Sequence, residues 1–156
     1  MIIKKIRLQN ITTHEDTTID FYNGVNILMG NNGTGKSTVL TMIGYVLFNY
    51  IPGRNQDIYV RNSSEQKWGM VTLWFLGNDK KQYCIKRAIG KSNNKIEVFI
   101  GEEEVKLQKI SSVGNLVEFL QSVIGIQNFD LSVIFENAIG GEAEELGSLH
   151  TVRQLC

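Results

Sequence analysis

The chain has 156 residues, 42% of them hydrophobic and 21% charged, which is the composition of one folded domain rather than of a disordered or fibrous chain. At this length roughly 70% of the unfolded surface is buried on folding, so the core needs no staples. Sixteen Lys plus Arg balance sixteen Asp plus Glu, and a formal net charge of zero argues against a dedicated basic nucleic-acid module.

The amino terminus alternates with a period of two, Ile2, Lys4, Ile6 and Leu8 against Ile3, Lys5 and Arg7, and predicts a strand. A second short strand is expected over 17–21, with Ile19 and Phe21 on one face. Tyr22-Asn23-Gly24 supplies turn chemistry, and 25–29 then reads as a buried, near-continuous apolar strand. From Lys36 to Asn49 almost every position is apolar, which predicts a helix central to the core, ended by Pro52-Gly53. Residues 54–67 read as a polar loop. Val71, Leu73 and Phe75, then Tyr83, Ile85 and Arg87, then Ile96, Val98 and Ile100, then Val105 and Leu107 form an antiparallel meander with turn residues between them. A helix is expected over 112–124, capped by Ser111 or Ser112, with Gly125 beyond its end. Cys84 and Cys156 make neither a C-x-x-C pair nor a disulfide framework, and no apolar run approaches the roughly 20 residues of a membrane span. With no signal-peptide pattern at the start, a cytoplasmic or nucleoid-associated domain with no membrane partner is the expectation.

One segment carries chemistry. Gly30-Asn31-Asn32-Gly33-Thr34-Gly35-Lys36-Ser37 fits G-x-x-x-x-G-K-[ST] in full, between an apolar run and a helix. Glycines let the backbone curl so that successive N–H groups face phosphate oxygens, and the helix adds its unpaired first-turn amides and positive dipole end. Asn32, Gly33, Thr34, Gly35, Lys36, Ser37 and Thr38 are therefore the candidate nucleotide-binding residues. Lys36 would reach the β- and γ-phosphates, Ser37 would ligate Mg²⁺, and Thr38 would contact the α-phosphate. The second Mg²⁺ ligand of such sites, an aspartate ending an apolar strand, has no match; Ser132-Val133-Ile134-Phe135-Glu136 and Thr17-Thr18-Ile19-Asp20 only imitate it. Asn94-Lys95-Ile96-Glu97 likewise only imitates a guanine-reading N-K-x-D.

Taken in order, Ile3-Lys4-Lys5-Ile6-Arg7-Leu8-Gln9-Asn10-Ile11, Thr12-Thr13-His14, Thr17-Thr18-Ile19-Asp20-Phe21, Gly24-Val25-Asn26-Ile27-Leu28 and the phosphate loop resemble the amino-terminal half of an SMC/RecF-like ABC ATPase head. Within that family the closest likeness is to the DNA double-strand-break-repair ATPases called Rad-fifty. The resemblance implies an α/β P-loop NTPase fold, an ABC-ATPase lobe whose mixed sheet carries an antiparallel β-meander around the P-loop helix. Residues 1–156 would be one half-head, with 1–125 as its core and 126–156 as a Q-loop region leading toward a coiled-coil arm. It implies ATP and Mg²⁺ as cofactors. The implied partners are the missing carboxy-terminal half-head, a second ATPase head and a nuclease subunit, with DNA engaged through the assembly. It also implies nucleotide contacts from Thr12 and Thr13, where the family carries a basic residue at position 12, and from Asn62, Ser63 and Ser64 in the polar loop. Those three read equally well as plain loop polarity. The Q-loop glutamine has no match; Asn137, beside Glu136, is the candidate Mg²⁺ oxygen at that place. Ile139-Gly140-Gly141-Glu142 imitates the family's signature motif but lacks its serine, and reads as coincidence or a Q-loop variant.

Two functions follow. One is an ATP·Mg²⁺-binding half-head that hydrolyses ATP only when completed by a carboxy-terminal half and a second head. The other is a non-catalytic interaction or regulatory module on a degenerate P-loop scaffold, which the missing Q-loop favours and the intact Lys36 and Ser37 oppose. A free-standing P-loop kinase or GTPase is disfavoured, because strands and helices would alternate where the meander stands.

Overall fold

Alternating side chains at the amino terminus produce β1 (Ile2–Ile11), which turns through Thr12 and Thr13 into β2 (His14–Asp20). The computed structural model describes residues 1–49, 51, 55–63, 65–90, 95–101, 105–107 and 110–124. Beyond the helix α1 (Lys36–Phe48), the chain forms β3 (Gly69–Leu76), β4 (Gln82–Ile89), β5 (Ile96–Ile100), β6 (Val105–Lys106) and the helix α2 (Val113–Ile124). The strands make one six-stranded sheet in the order β2-β1-β3-β4-β5-β6. Each ladder among the described residues is antiparallel. The expected meander is β3 to β6.

Period-two alternation sends Ile6 and Leu8 of β1, Val71, Leu73 and Phe75 of β3, Tyr83 and Ile85 of β4, and Ile96 and Val98 of β5 to one face, where all are buried. Against that face lies α1, buried at Val39 and continuously from Met42 to Leu47, as its all-round apolar sequence requires. Leu116, Leu120 and Val123 of α2 complete the core. The opposite face carries ion pairs and cation–π contacts, among them Arg7 with Asp16 and Lys5 over the Trp74 ring.

Three expectations shift. The second strand starts at His14 rather than Thr17, because the turn after Ile11 needs only Thr12 and Thr13 and the ladder resumes at once with Ile11 opposite His14. Helix α1 stops at Phe48, capped by Asn49 in the left-handed conformation (φ 58°), whose N–H returns to the Tyr45 carbonyl. An asparagine therefore ends this helix; Pro52 and Gly53 lie outside the described residues. The larger correction concerns 25–29. That segment joins no ladder, and Val25, Ile27 and Met29 are 92%, 76% and 87% exposed. Asn26 folds the chain locally instead, exchanging hydrogen bonds with the backbone of Tyr22 at 2.9 Å in both directions. An apolar run stays out of the core when no neighbouring strand is present to take its backbone groups.

Candidate functional site

The segment before α1 forms a tight loop whose parts have separate causes. Gly33 and Gly35 sit at φ +82° and +87°, a region that side-chain-bearing residues avoid. The Asn31 carbonyl accepts from the Thr34 hydroxyl at 2.8 Å and from the Thr34 N–H at 3.3 Å, closing the turn. Lys36 arches back over the loop and donates to the carbonyls of Gly30 (2.6 Å) and Asn31 (2.7 Å), so its ammonium stands at the loop's centre.

Helix α1 begins at Lys36 with Gly35 as its N-cap. No side chain caps that end and no acidic residue lies in the first turn, so the first-turn amides and the positive end of the helix dipole face outward uncompensated. The surface there is a cavity of about 400 Å³ lined by Thr12, Thr13, Asn32, Gly33, Gly35, Lys36, Ser37 and Thr38. The structure thus brings together Thr12 and Thr13 with the loop. The Thr12 hydroxyl donates to Thr38 Oγ1 at 3.4 Å, and Thr12 itself has φ +45°, unusual for a β-branched residue. Thr34 is part of the loop but turns its hydroxyl into it rather than into the cavity.

Asn62 and Ser63 are exposed and do not line the cavity. Ser63 reaches the site indirectly: its hydroxyl accepts from Arg61 Nε at 2.9 Å, and Arg61 Nη1 donates to the Thr13 carbonyl at 3.2 Å. Ser64 and Asn137 lie outside the described residues. Two residues were not singled out by the sequence. Arg61 is one, held also by Glu15 at 3.7 Å; a cation in the middle of a polar loop carries no spacing signal. The other is His14, whose ring lies against Gly35. It stood in the Thr12-Thr13-His14 run, but only the fold shows what it touches.

The site suits a polyphosphate and a hard cation. Outward amides, one ammonium and an absence of carboxylates among the lining residues match anionic oxygens. Ser37, exposed at the helix start, offers one hydroxyl oxygen to a hard cation. Among the described residues no group of three or more His, Cys, Asp or Glu could hold a metal by itself. No helix there is long and apolar enough to cross a membrane. A larger hollow, about 480 Å³, lies between the amino terminus, residues 21–26, Leu40 and Ile43, and is mainly apolar.

The AAA domain family matches residues 5–145. The chain is 32% identical over 156 residues to the DNA double-strand break repair Rad50 ATPase of Sulfolobus acidocaldarius, covering 97% of this chain and 16% of that protein. The Rad50 ATPase of Thermoplasma volcanium is 31% identical over 121 residues, 76% of this chain and 13% of its own. The chain therefore spans about a sixth or less of the length of these relatives. Among solved structures, an SMC ATPase superposes with a TM-score of 0.63 at 14% identity, all of both chains being covered. A RecF recombination mediator solved with ATP gives 0.57 at 20% identity, over 72% of this chain and 29% of RecF. The phosphate loop, the helix behind it and these relationships agree: the chain belongs to the AAA domain family of P-loop NTPases, as an amino-terminal ATPase head of the SMC/Rad50 kind.

Proposed function

We propose that this chain binds ATP·Mg²⁺ as the amino-terminal half of an SMC-like ATPase head acting in DNA double-strand-break repair. One observation carries the reading: the start of α1 is uncapped and free of acid, with the Lys36 ammonium beside it. Residues 33–37 cradle the phosphates, Ser37 supplies an oxygen to Mg²⁺, and Thr12, Thr13 and Thr38 border the nucleotide. When bound, Mg²⁺ offsets phosphate charge. Asn62, Ser63 and Ser64 would have to move in from the polar loop to reach the nucleotide, and Asn137 would provide the Q-loop oxygen.

Hydrolysis belongs to a larger assembly. Among the described residues lining the cavity there is no carboxylate to act as a general base. The exposed run of Val25, Ile27 and Met29, with Tyr22 at 79% exposure, is the edge on which a carboxy-terminal half-head docks. Covering each of these side chains contributes about 1.5–3 kcal/mol against the lost translational and rotational freedom of association. A second head and a nuclease subunit complete the proposed assembly, and DNA is engaged through it, since a neutral chain has little affinity of its own for a nucleic-acid backbone.

Titration calorimetry with ATP and Mg²⁺ tests the reading. The chain should bind, Lys36→Ala should lower affinity by more than about 100-fold with the melting temperature unchanged, and the isolated chain should show negligible turnover. A well-folded chain that releases no heat would favour the non-catalytic scaffold instead.

A further inference from the structure

The turn between β1 and β2 delivers His14 beneath the phosphate loop, and its imidazole is buried, with 9% of the residue exposed. Its ring nitrogens face two different groups. Nε2 lies 3.3 Å from the Gly35 carbonyl oxygen, and Nδ1 lies 3.1 Å from the Thr17 hydroxyl. A carbonyl can only accept, so Nε2 carries the proton. In the neutral ring Nδ1 then accepts from Thr17 Oγ1. The carbonyl selects the tautomer, and Thr17, at the middle of β2, holds the ring from behind.

Gly35 is the hinge of the site. Its carbonyl already accepts the first helical bond of α1 from the Val39 N–H at 3.2 Å, and His14 takes its second lone pair. In a trans peptide the carbonyl of Gly35 and the N–H of Lys36 point in opposite directions. Fixing that oxygen from the protein side therefore aims the Lys36 amide at the cavity. The ring also blocks rotation sterically. A Cβ built on Gly35 would stand 2.7 Å from Thr13 Oγ1 and closer still to His14 Nε2, so imidazole and hydroxyl occupy the space around the Gly35 Cα.

We infer that His14 is a positioning residue for polyphosphate binding: as the Nε2–H tautomer held by Thr17, it locks the Gly35–Lys36 peptide plane with its amide turned toward the phosphates. The functional consequence rests on the nucleotide-binding reading above, whereas the tautomer and the locked peptide do not. One net hydrogen bond corresponds to about fivefold to tenfold in affinity.

The test uses ¹⁵N NMR of the His14 ring, amide hydrogen exchange at Lys36 without nucleotide, and calorimetry with ATP·Mg²⁺. The ring should be protonated at Nε2 and unprotonated at Nδ1. His14→Leu, which keeps bulk but loses the donor, should speed exchange at Lys36 and weaken binding about fivefold to tenfold. His14→Gln, whose amide nitrogen sits as many bonds from the backbone as Nε2, should restore both to within about twofold, which a purely space-filling role would not produce. Should His14→Leu fail to fold, Thr17→Val serves: it keeps the Nε2–H tautomer that the Gly35 carbonyl selects but frees the ring behind it, and should speed exchange at Lys36 with a smaller loss of affinity. An Nδ1–H ring, a leucine variant that matches the wild type, a glutamine variant no better than leucine, or a Thr17→Val protein whose Lys36 exchange and affinity are unchanged would each overturn the assignment. If the wild type binds no triphosphate, the functional reading falls, and the tautomer and exchange results still decide this one.

Discussion

At its carboxy end, α1 is fastened to the sheet: the Tyr45 hydroxyl donates to the Ala88 carbonyl at 2.6 Å, and Arg87 of β4 donates to the Tyr45 carbonyl at 3.0 Å and to Asn49 Oδ1 while lying under the Tyr45 ring. At its amino end the same helix has no side-chain cap, an exposed loop before it and an apolar run without a ladder. The buried Arg87 cation answers the negative end of the helix dipole, and no acidic residue of the first turn answers the positive end. Burial holds the Arg87 guanidinium below its ordinary value, a cost that the carbonyls and the helix end offset. One end of the helix is invested in stability and the other is left available for an anion.

The largest expected effect breaks the fastened end. Arg87→Leu removes two hydrogen bonds from a buried charged group and should destabilise the chain by about 3 kcal/mol, a fall of about 10 °C in thermal denaturation. Nucleotide affinity of the folded protein should stay within about twofold, because the open end is untouched. Gly35→Ala attacks the other end. Its backbone conformation and its contacts with Thr13 and His14 should lower stability by about 1–2 kcal/mol and triphosphate affinity by at least about tenfold, read by melting and calorimetry. Loss of stability alone would show that the two ends are less separate than their geometry indicates. Changing Val25, Ile27 and Met29 together to serine should move the unfolding free energy in denaturant by no more than about 0.5 kcal/mol, since these side chains bury little here. A buried strand would lose several kcal/mol.

Asp16, Asp79 and Glu97 are held below the ordinary carboxylate range, first by hydrogen bonds from Arg7, Tyr83 and Lys106 respectively. Each binds fewer protons folded than unfolded, so the stability it confers is present above about pH 4 and is lost as pH falls through the lowered folded values. The Tyr83 hydroxyl, pushed up to about 12 by burial and by Asp79, stays a donor throughout that window. Asp16 and Asp79 are exposed, so a pH titration of the melting temperature should show a small decline, and Asp16→Asn should flatten it only slightly.

Much of this was legible in the residues. Alternation placed the β1 and meander strands, the all-round apolar run gave α1, and Ser112 capped α2 as expected, its hydroxyl accepting from the Asn115 N–H at 3.3 Å. The glycine and lysine spacing marked the tight turn before α1, because such a turn is a local feature. Two features were not local. Hydrophobicity predicted that 25–29 would be buried, yet burial of a strand depends on a neighbour, and hydrophobicity says nothing about whether the neighbour is present. His14 lies 21 residues from Gly35, and only the β1–β2 turn brings them together.

Backbone amide NMR of the chain, with and without ATP·Mg²⁺, tests the central claim most directly. The account predicts large shifts at the amides of Gly33, Thr34, Gly35, Lys36 and Ser37, small ones at Thr12 and Thr13, and none at the Arg87 end of α1. Amides of the phosphate loop that stay in place while the protein is folded, or shifts centred elsewhere in the sheet, would contradict it.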